Sequence, residues 1–165
     1  MHIVFLCTGN AARSVMGGAI TRHRRDDLQV ITAGTHVVEG MPMSWRTRDA
    51  LAGIGVRADG HRSHQLRDGD VAVADLVIAM AGEHVTYVRR QHSDAAARTG
   101  TLKRLVRDLG DGKDALAHRV AGLQLASLEL EPWEDVADPA GGDLPEFEEC
   151  VAEIDGLLSD LLSRL

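Results

Sequence analysis

The sequence predicts an α/β fold: a three-layer, doubly wound, four-stranded parallel sheet with helices on both faces and the strand order 2-1-3-4. Short apolar runs alternate with longer amphipathic segments along the chain, which is typical of parallel strands joined by crossover helices. The first apolar run, His2–Leu6, is continuous rather than alternating, as expected of a strand covered on both faces. With 165 residues, 44% of them hydrophobic, the chain suits one domain spanning residues 1–165.

A helix is expected directly after the first strand, because Ser14 has the side chain of an N-cap residue. A second strand follows at Leu28–Ala33, where an apolar and β-branched run ends at Gly34. The predicted inward face of the first helix consists of Val15, Met16, Ala19, Ile20 and His23.

The middle of the chain is predicted to add a helix, a strand and a second helix. Ser44–Ile54 has helical spacing with Ile54 facing inward, and Gly55 ends it. Asp75–Met80 is the third strand, and Glu83–Gln91 is the helix that follows it.

The last third of the chain is predicted to complete the sheet. A short strand near Gly100–Leu102 precedes a helix at Lys103–Leu109, and residues 110–132 contain a further amphipathic helix. Asp143 and Glu146 resemble a capping box at the start of the terminal helix. Its apolar residues recur every three or four positions: Phe147, Cys150, Val151, Ile154, Leu157, Leu158, Leu161 and Leu165.

The composition argues against several functions. A formal net charge of -7, from 25 acidic and 18 basic residues, does not suit a nucleic-acid-binding surface. Two cysteines, Cys7 and Cys150, are too few for a disulfide scaffold, a four-cysteine zinc site or an iron–sulfur cluster. The sequence has no signal-peptide pattern and no apolar run long enough to span a bilayer. We therefore expect a cytoplasmic protein without nucleic-acid or membrane partners.

The first strand runs directly into the sequence CTGNAARS, Cys7–Ser14, which predicts a phosphate site. Backbone N–H groups in such a turn can converge on one anion, and the following helix adds its positive dipole end. Arg13 can bind two oxygens of the same anion, and this environment favours the nucleophilic Cys7 thiolate. The sulfur would then attack phosphorus in line. A buried structural cysteine beside an ordinary helix start is the alternative.

A phosphate ester attacked by sulfur also needs a proton donor for its leaving oxygen. Asp138 is the candidate, because Pro139 stiffens its turn and the glycines after it permit close approach to a phosphate. An isolated Asp-Pro pair is a common turn, so this interpretation depends on the Cys7 motif. Neither GxxxxGK[ST] nor GxGxxG occurs to offer a competing phosphate site.

The sequence resembles the low-molecular-weight protein tyrosine phosphatase family across essentially the whole chain. The matching motifs are, in order, HIVFLCTGNAARS, TAGT (32–35), GMP with Arg46, HRSHQL (61–66), ADLVIAM (74–80), TLKRL (101–105) and DPAGGD (138–143). Residues 110–132 are then expected to be a family-specific insertion.

The resemblance implies a cysteine-dependent phosphatase that hydrolyses protein phosphotyrosine through a cysteinyl-phosphate intermediate. Cys7 would attack phosphorus while Asp138 protonates the leaving group, and Asp138 would then act as base for the hydrolytic water. Arg13 and the loop amides would bind the phosphate. The implied phosphate-binding loop comprises Thr8, Gly9, Asn10, Ala11, Ala12 and Ser14.

The resemblance also implies roles for three supporting side chains. Asn10 would hold the shape of the loop, Ser14 would donate a hydrogen bond to the thiolate, and His61 would support Asn10 from behind. An ordinary loop histidine is the alternative for His61. No metal and no cofactor are implied.

The loop departs from the family pattern at two positions. Ala12 stands where the family usually has a second cysteine, and Val15 stands where it has a proline. Cys150 lies on an apolar helix face and is expected to pack rather than to act in redox chemistry. With Ala12 in the loop, Cys7 has no neighbouring cysteine with which to form a protective disulfide. Cys7 is therefore expected to be vulnerable to irreversible oxidation.

A second departure concerns the substrate. The family usually places aromatic residues after Asp-Pro and in the loop after TAGT, but here these positions hold Ala140-Gly141 and His36–Glu39. Ala11 matches neither the bulky aliphatic residue of tyrosine-specific members nor the threonine of the protein-arginine phosphatase branch. Trp45 is expected to pack on its helix, and the pattern does not place Trp133. Protein-arginine phosphatase and small-molecule phosphomonoesterase are therefore alternatives.

Two further functions are disfavoured. Arsenate reduction would require two further cysteines to resolve the intermediate, and this chain lacks one after Met80, where it has Ala81. A non-catalytic phosphate-binding module would not need both a nucleophile and an acid. We expect a monomer or weak dimer whose partner is a phosphorylated protein or a small phosphate ester.

Overall fold

The computed structural model describes residues 1–165 as four strands and seven α-helices. The strands are β1 His2–Cys7, β2 Gln29–Gly34, β3 Leu76–Ala79 and β4 Thr99–Thr101. The helices are α1 Arg13–Arg24, α2 Trp45–Gly53, α3 Asp68–Val73, α4 Gly82–Gln91, α5 Leu102–Asp108, α6 Leu116–Gly122 and α7 Leu144–Leu162. Two 3-10 helices lie at Ser93–Arg98 and Pro132–Glu134.

The four strands form one parallel sheet in the order β2-β1-β3-β4, which confirms the predicted order. Alternate residues of β1 enter different cores, because successive side chains of a strand point to opposite faces. Ile3 and Phe5 join the larger core with α1, α2, α5 and α7, whereas Val4 and Leu6 join the smaller one with α3 and α4. Both faces of the sheet are therefore covered, and the carboxyl ends of the strands lie along one edge.

The structure corrects three details of the predicted helices. α1 begins at Arg13 without a side-chain cap, so Ser14 is not its N-cap residue. His23 is exposed, because the last turn of α1 extends beyond the core, and Ile54 is exposed because α2 already ends at Gly53. α3 was not predicted: it has only six residues, including Gly69, and shows no helical repeat of apolar positions.

Residues 110–132 pack against the rest of the domain. They contain α6, and Val120 and Leu125 are buried in the larger core. Arg89, on α4, donates hydrogen bonds to the carbonyl oxygens of Leu125 (2.6 Å) and Leu128 (2.7 Å). The segment is thus hydrogen-bonded to α4 and packed into the larger core.

The terminal helix α7 packs along α1, α2 and α5 through the apolar stripe expected from its sequence. Its start matches the predicted capping box, since the Asp143 N–H donates to Glu146 Oε2 (3.0 Å). None of the helices combines the length and apolar character that crossing a bilayer requires.

A buried ion pair joins the carboxyl end of the sheet to the 3-10 helix before the terminal segment. Glu134 is 1% exposed, and its carboxylate accepts hydrogen bonds from the Arg104 guanidinium and from Thr101 Oγ1 (2.8 Å). Burial works to raise the pKa of Glu134, but the hydrogen bonds from Arg104, the Glu131 N–H and Thr101 outweigh it and leave the pKa below its usual value. Glu134 is therefore ionised at neutral pH.

Replacing Glu134 by alanine is expected to lower the free energy of unfolding by about 3–5 kcal/mol, since it leaves the buried Arg104 charge without its main partner. The native pKa of Glu134 is depressed, so its contribution is present at neutral pH and is lost as the pH falls through that native pKa. Urea unfolding measures the change. Glu131→Ala is the control, because the half-exposed Glu131 also contacts Arg104 and should cost about 1 kcal/mol or less. Equal losses in both variants would contradict this account.

Candidate active site

The predicted nucleophile lies where β1 ends and α1 begins. Cys7 is 2% exposed, and its Sγ lies 3.0 Å from the Ser14 hydroxyl in the first turn of α1. We name the connecting residues, Cys7–Ser14, the Cys7 loop. The sulfur therefore lies beside the positive end of a twelve-residue helix, with a hydroxyl in position to donate a hydrogen bond to a thiolate.

The backbone N–H groups of the Cys7 loop are without partners inside the protein. From Thr8 to Val15, no main-chain N–H donates a hydrogen bond to any backbone or side-chain acceptor. Most backbone donors in folded proteins are paired, so eight consecutive free donors are unusual. This run begins directly after the Cys7 sulfur and includes the first turn of α1. It provides the donors that an oxyanion requires.

Asn10 holds the loop from inside. Its backbone has a φ of +49°, in the left-handed region that asparagine tolerates better than most residues. Its side chain is fully buried: Nδ2 donates to Ser14 Oγ (2.9 Å), and Oδ1 accepts from the His64 N–H (2.9 Å). One side chain thus connects the hydroxyl beside the sulfur to the 61–66 segment behind the loop.

Three side chains support the loop from behind. His61 Nε2 lies 2.8 Å from the Asn10 carbonyl oxygen, and Ser63 Oγ donates to the same oxygen (3.0 Å). Burial lowers the pKa of His61, so its ring is neutral. The neutral ring carries its one hydrogen on Nε2 and donates it to the Asn10 carbonyl oxygen. Thr47 Oγ1, on α2, donates to the Ala11 carbonyl oxygen (2.8 Å). The carbonyl oxygens of Asn10 and Ala11 therefore both accept hydrogen bonds from side chains behind the loop.

Gly34, at the end of β2, lies against the loop. A Cβ atom at this position would lie 2.5 Å from the Thr8 carbonyl oxygen and 3.0 Å from the Asn10 nitrogen. The neighbouring backbone completes the contact, since the Thr35 N–H donates to the Cys7 carbonyl and the His36 N–H to that of Thr8. The TAGT motif therefore needs glycine for close approach of two backbones.

The predicted acid and the predicted phosphate-binding arginine are in direct contact. The buried Arg13 donates to Asp138 Oδ2 (2.5 Å) and to the Val136 carbonyl oxygen (3.1 Å). Asp138 is half-exposed, and its other oxygen accepts from the Ala140 N–H (3.0 Å). The structure thus brings Cys7, Arg13 and Asp138 to one edge of the sheet, with the guanidinium held by the carboxylate.

The segment that carries Asp138 is anchored to the end of β3. The Val136 N–H donates to the Met80 carbonyl oxygen (2.8 Å), and the Gly82 N–H donates to Asp135 Oδ1 (2.7 Å). Two hydrogen bonds thus hold Asp138 at the carboxyl end of the strand next to β1, where sites of open parallel sheets lie.

A buried histidine contacts the first residue after the sulfur. His84 Nε2 lies 3.0 Å from Thr8 Oγ1, which donates to Glu83 Oε1 (3.2 Å). Burial, reinforced by the charge of Arg13, lowers the pKa of His84 to about 3, so the ring is neutral. Its proton belongs on Nε2, because Nδ1 is buried without a partner and an orphaned N–H there would cost more than an orphaned lone pair.

The aromatic residues differ from expectation. Trp45 is 51% exposed rather than packed on its helix, and the guanidinium of its neighbour Arg46 stacks on it and reaches Asp143 (3.6 Å). Trp133 lies over the guanidinium groups of Arg104 and Arg107, at the buried ion pair. Both tryptophans thus stack on arginines outside the Cys7 loop, and the Cys7 motif predicts the position of neither.

A cleft of about 530 Å³ opens beside Thr8 and contains an aromatic pair that the motifs did not indicate. The rings of His36 and Tyr87 meet edge to face with centroids 5.9 Å apart. Glu83 and Arg90 also line this cleft. A phosphorylated residue bound at the loop would therefore have polar and aromatic groups on this side.

The second cysteine is part of the packing. Cys150 is buried in the larger core, and burial raises the pKa of its thiol to about 12. The thiol is therefore protonated at neutral pH and is not a competing nucleophile.

Several contacts of the loop come from residues to which sequence reasoning assigned no role, among them Ser63, His64, Thr47, His84 and Glu83. Ser63 and His64 lay within the HRSHQL motif, so that motif was the available signal for them. Thr47 and His84 had none, because a threonine inside a helix and a lone histidine fit many surroundings.

Replacing Asn10 by alanine is expected to lower kcat by about tenfold or more, because the Ser14 hydroxyl loses its donor and the loop loses its inner support. Steady-state turnover of para-nitrophenyl phosphate measures the effect. Asn10→Gly removes the same hydrogen bonds without placing a Cβ at a positive φ, so it separates side-chain loss from backbone strain. Full activity in the alanine variant would refute this role.

Comparison with known proteins shows a family for the chain. A family model described as low molecular weight phosphotyrosine protein phosphatase matches residues 2–121. The protein-arginine-phosphatase of Geobacillus stearothermophilus is 29% identical over 165 residues, covering 99% of this chain and 95% of that relative. The low molecular weight protein-tyrosine phosphatase A of Mycobacterium tuberculosis is 33% identical over 170 residues, covering 98% and 89%.

Solved structures agree with this result. The low molecular weight protein tyrosine phosphatase from T. tengcongensis superimposes with a TM-score of 0.81 at 29% identity, covering 100% of this chain and 99% of that one. The similarity therefore extends to the terminal helix α7, which lies beyond the residues matched by the family model.

Proposed function

The chain belongs to the low molecular weight phosphotyrosine protein phosphatase family, and we propose that it hydrolyses protein phosphotyrosine through a cysteinyl-phosphate intermediate. The observation that carries the proposal is the Cys7 sulfur 3.0 Å from Ser14, at the head of eight unpaired N–H groups. Arg13 and Asp138 lie at the same edge of the sheet. Nucleophile, oxyanion donors, cation and acid are the groups that a phosphoryl transfer to sulfur requires.

In the first step the Cys7 thiolate attacks phosphorus, and a sulfur–phosphorus bond forms as the bond to the leaving oxygen breaks. Protonated Asp138 gives its proton to that oxygen, so tyrosine leaves with a neutral phenolic hydroxyl. The loop N–H groups and Arg13 hold the three remaining oxygens. For this the Arg13 guanidinium must exchange part of its contact with Asp138 for contact with the phosphoryl group.

In the second step Asp138 takes a proton from water, whose oxygen attacks phosphorus. The sulfur–phosphorus bond breaks, inorganic phosphate forms, and the electron pair of that bond returns to Cys7 as a thiolate. Ser14 stabilises the departing sulfur by hydrogen bonding, and Asn10 keeps the Ser14 hydroxyl in place. Asp138 thus returns to its protonated state for the next cycle.

The aromatic groups around the loop support phosphotyrosine as the substrate. The His36–Tyr87 pair lines the cleft that Thr8 shares, and Trp45 is exposed two residues before Thr47, which contacts the loop. The positions after Asp-Pro, Ala140 and Gly141, carry no aromatic ring. His36, Tyr87 and Trp45 are therefore the aromatic groups that would contact a flat ring bound at the loop.

Phosphoarginine is the second candidate, and one observation favours it. Glu83, 67% exposed on its side chain, accepts a hydrogen bond from Thr8 and could also accept N–H groups of a phosphorylated guanidinium bound at the loop. The protein-arginine-phosphatase relative from Geobacillus stearothermophilus makes this branch relevant.

The substrate assignment is tested by comparing kcat/KM for a phosphotyrosine peptide, a phosphoarginine peptide of the same sequence and para-nitrophenyl phosphate. We expect the phosphotyrosine peptide to be preferred. Preference for the phosphoarginine peptide, reversed by Glu83→Gln, would assign the protein to the arginine branch instead. Turnover of the small ester alone would indicate a small-molecule phosphomonoesterase, and no turnover would indicate a phosphate-binding module.

A further inference from the structure

A second cleft lies on the His61 side of the Cys7 loop, and none of Cys7, Arg13 and Asp138 lines it. It has a volume of about 840 Å³ and is enclosed by α1, β2 and the segment 55–62. Its apolar floor includes Val15, Ala19 and Val30, and its rim is polar. No step of the proposed reaction uses this cleft.

The rim of the cleft is basic although the chain as a whole is acidic. Three arginines line it, Arg22, Arg57 and Arg62, while Asp59 is its only carboxylate and is bound to Arg57 (2.8 Å). Arg22 donates to the Val30 carbonyl oxygen, and Arg62 donates to that of its neighbour His61. Neither has a carboxylate within salt-bridge distance, so two positive charges face the cleft without counter-charges from the chain.

We propose that this cleft binds a small phosphorylated molecule with at least two negative charges, held between Arg22 and Arg62. Guanidinium groups bind phosphate oxygens in a bidentate manner, and two uncompensated ones favour an anion of more than one charge. The cavity exceeds the volume of a single phosphate group, and its apolar floor suits an organic body attached to that group.

The site is adjacent to the catalytic loop through a histidine. His61 lines the cleft and also holds the Asn10 carbonyl oxygen. Burial is the main cause of its lowered pKa, and the charges of Arg22 and Arg62 lower it further. A bound anion favours the protonated ring, so occupancy of the cleft should raise the titration midpoint of His61.

The proposal is tested with pyrophosphate, followed by NMR of the whole chain. Pyrophosphate also has access to the Cys7 loop, so the amide signals of residues 8–14 and of the glycines at 55 and 60 are followed separately. We expect both groups of signals to shift saturably and the His61 midpoint to rise. If the signals of Gly55, Gly60 and His61 stay unchanged, the cleft is not an anion site.

Charge reversal locates the site. Arg62→Glu should weaken the cleft response by about tenfold or more while the response of residues 8–14 is kept. Arg62 is exposed and bonds only the carbonyl of its neighbour, so this variant should fold and retain its turnover without pyrophosphate. Arg48→Glu makes the same charge change outside the cleft and should leave both responses as in the wild type. An equal loss in both variants would overturn the proposal, because it would show only the effect of net charge.

Discussion

Replacing Cys7 by serine is expected to abolish turnover of phosphate esters, with kcat reduced by at least about 10³-fold. A serine hydroxyl at this position is protonated at neutral pH, and no base lies beside it to remove the proton: the only hydrogen-bond partner of the Cys7 sulfur is the Ser14 hydroxyl. Serine is also a poor leaving group in the second step, so any phosphate transferred to it would remain attached. Steady-state assays with para-nitrophenyl phosphate and mass spectrometry of the variant measure both consequences.

Cys150→Ser is the matched control. It makes the same chemical change at the other cysteine, whose buried thiol is protonated at neutral pH and packs in the larger core. This variant should keep its kcat within about twofold and lose stability instead, because a hydroxyl is placed in an apolar site. Urea unfolding and the same turnover assay separate the two effects. Activity that survives Cys7→Ser would refute the proposed mechanism.

The sheet could be predicted because its strands are marked locally. Continuous apolar runs at His2–Leu6 and Asp75–Met80 identify strands buried on both faces, and residues between them supply crossover helices. The position of the nucleophile follows from the same signal, since Cys7 ends the central strand. Family membership follows from the order of several motifs, of which no single one would suffice.

The inner support of the loop could not be predicted, because it depends on contacts between distant segments. Ser14 could equally have capped α1, but its hydroxyl contacts Cys7 and Asn10, and the helix starts without a side-chain cap. Because no side chain caps α1, its first N–H groups stay free to bind an anion. Likewise, Thr47 has no local feature that predicts its bond to the Ala11 carbonyl.

The partnership of Arg13 and Asp138 also lies beyond sequence reasoning. The two residues were predicted separately, one to bind phosphate and one to donate a proton, and they are 125 positions apart. The structure shows that each is the main polar partner of the other. A phosphate that enters the loop therefore competes with Asp138 for the guanidinium, and removal of the carboxylate should have two opposite effects.

Replacing Asp138 by alanine is expected to lower kcat for a phosphotyrosine peptide by about 10²–10⁴-fold, because the leaving oxygen loses its proton donor. An activated ester such as para-nitrophenyl phosphate, whose leaving group needs less protonation, should lose much less in the first step. The same variant should bind inorganic phosphate more tightly than the wild type, since Arg13 is released from its carboxylate partner. Leaving-group dependence and inhibition by phosphate are measured on one preparation.

The two effects together distinguish an acid that also holds Arg13 from a residue that only shapes the loop. Asp143→Ala is the control: its side chain is 89% exposed, it lies in the same turn and it contacts a different arginine, Arg46. Neither leaving-group dependence nor phosphate inhibition should change in this variant. Equal losses for activated and unactivated esters in Asp138→Ala would show that Asp138 is not the proton donor. Unchanged phosphate inhibition would show that the carboxylate does not compete with phosphate for Arg13, because release of the guanidinium must strengthen anion binding if the pair restrains it.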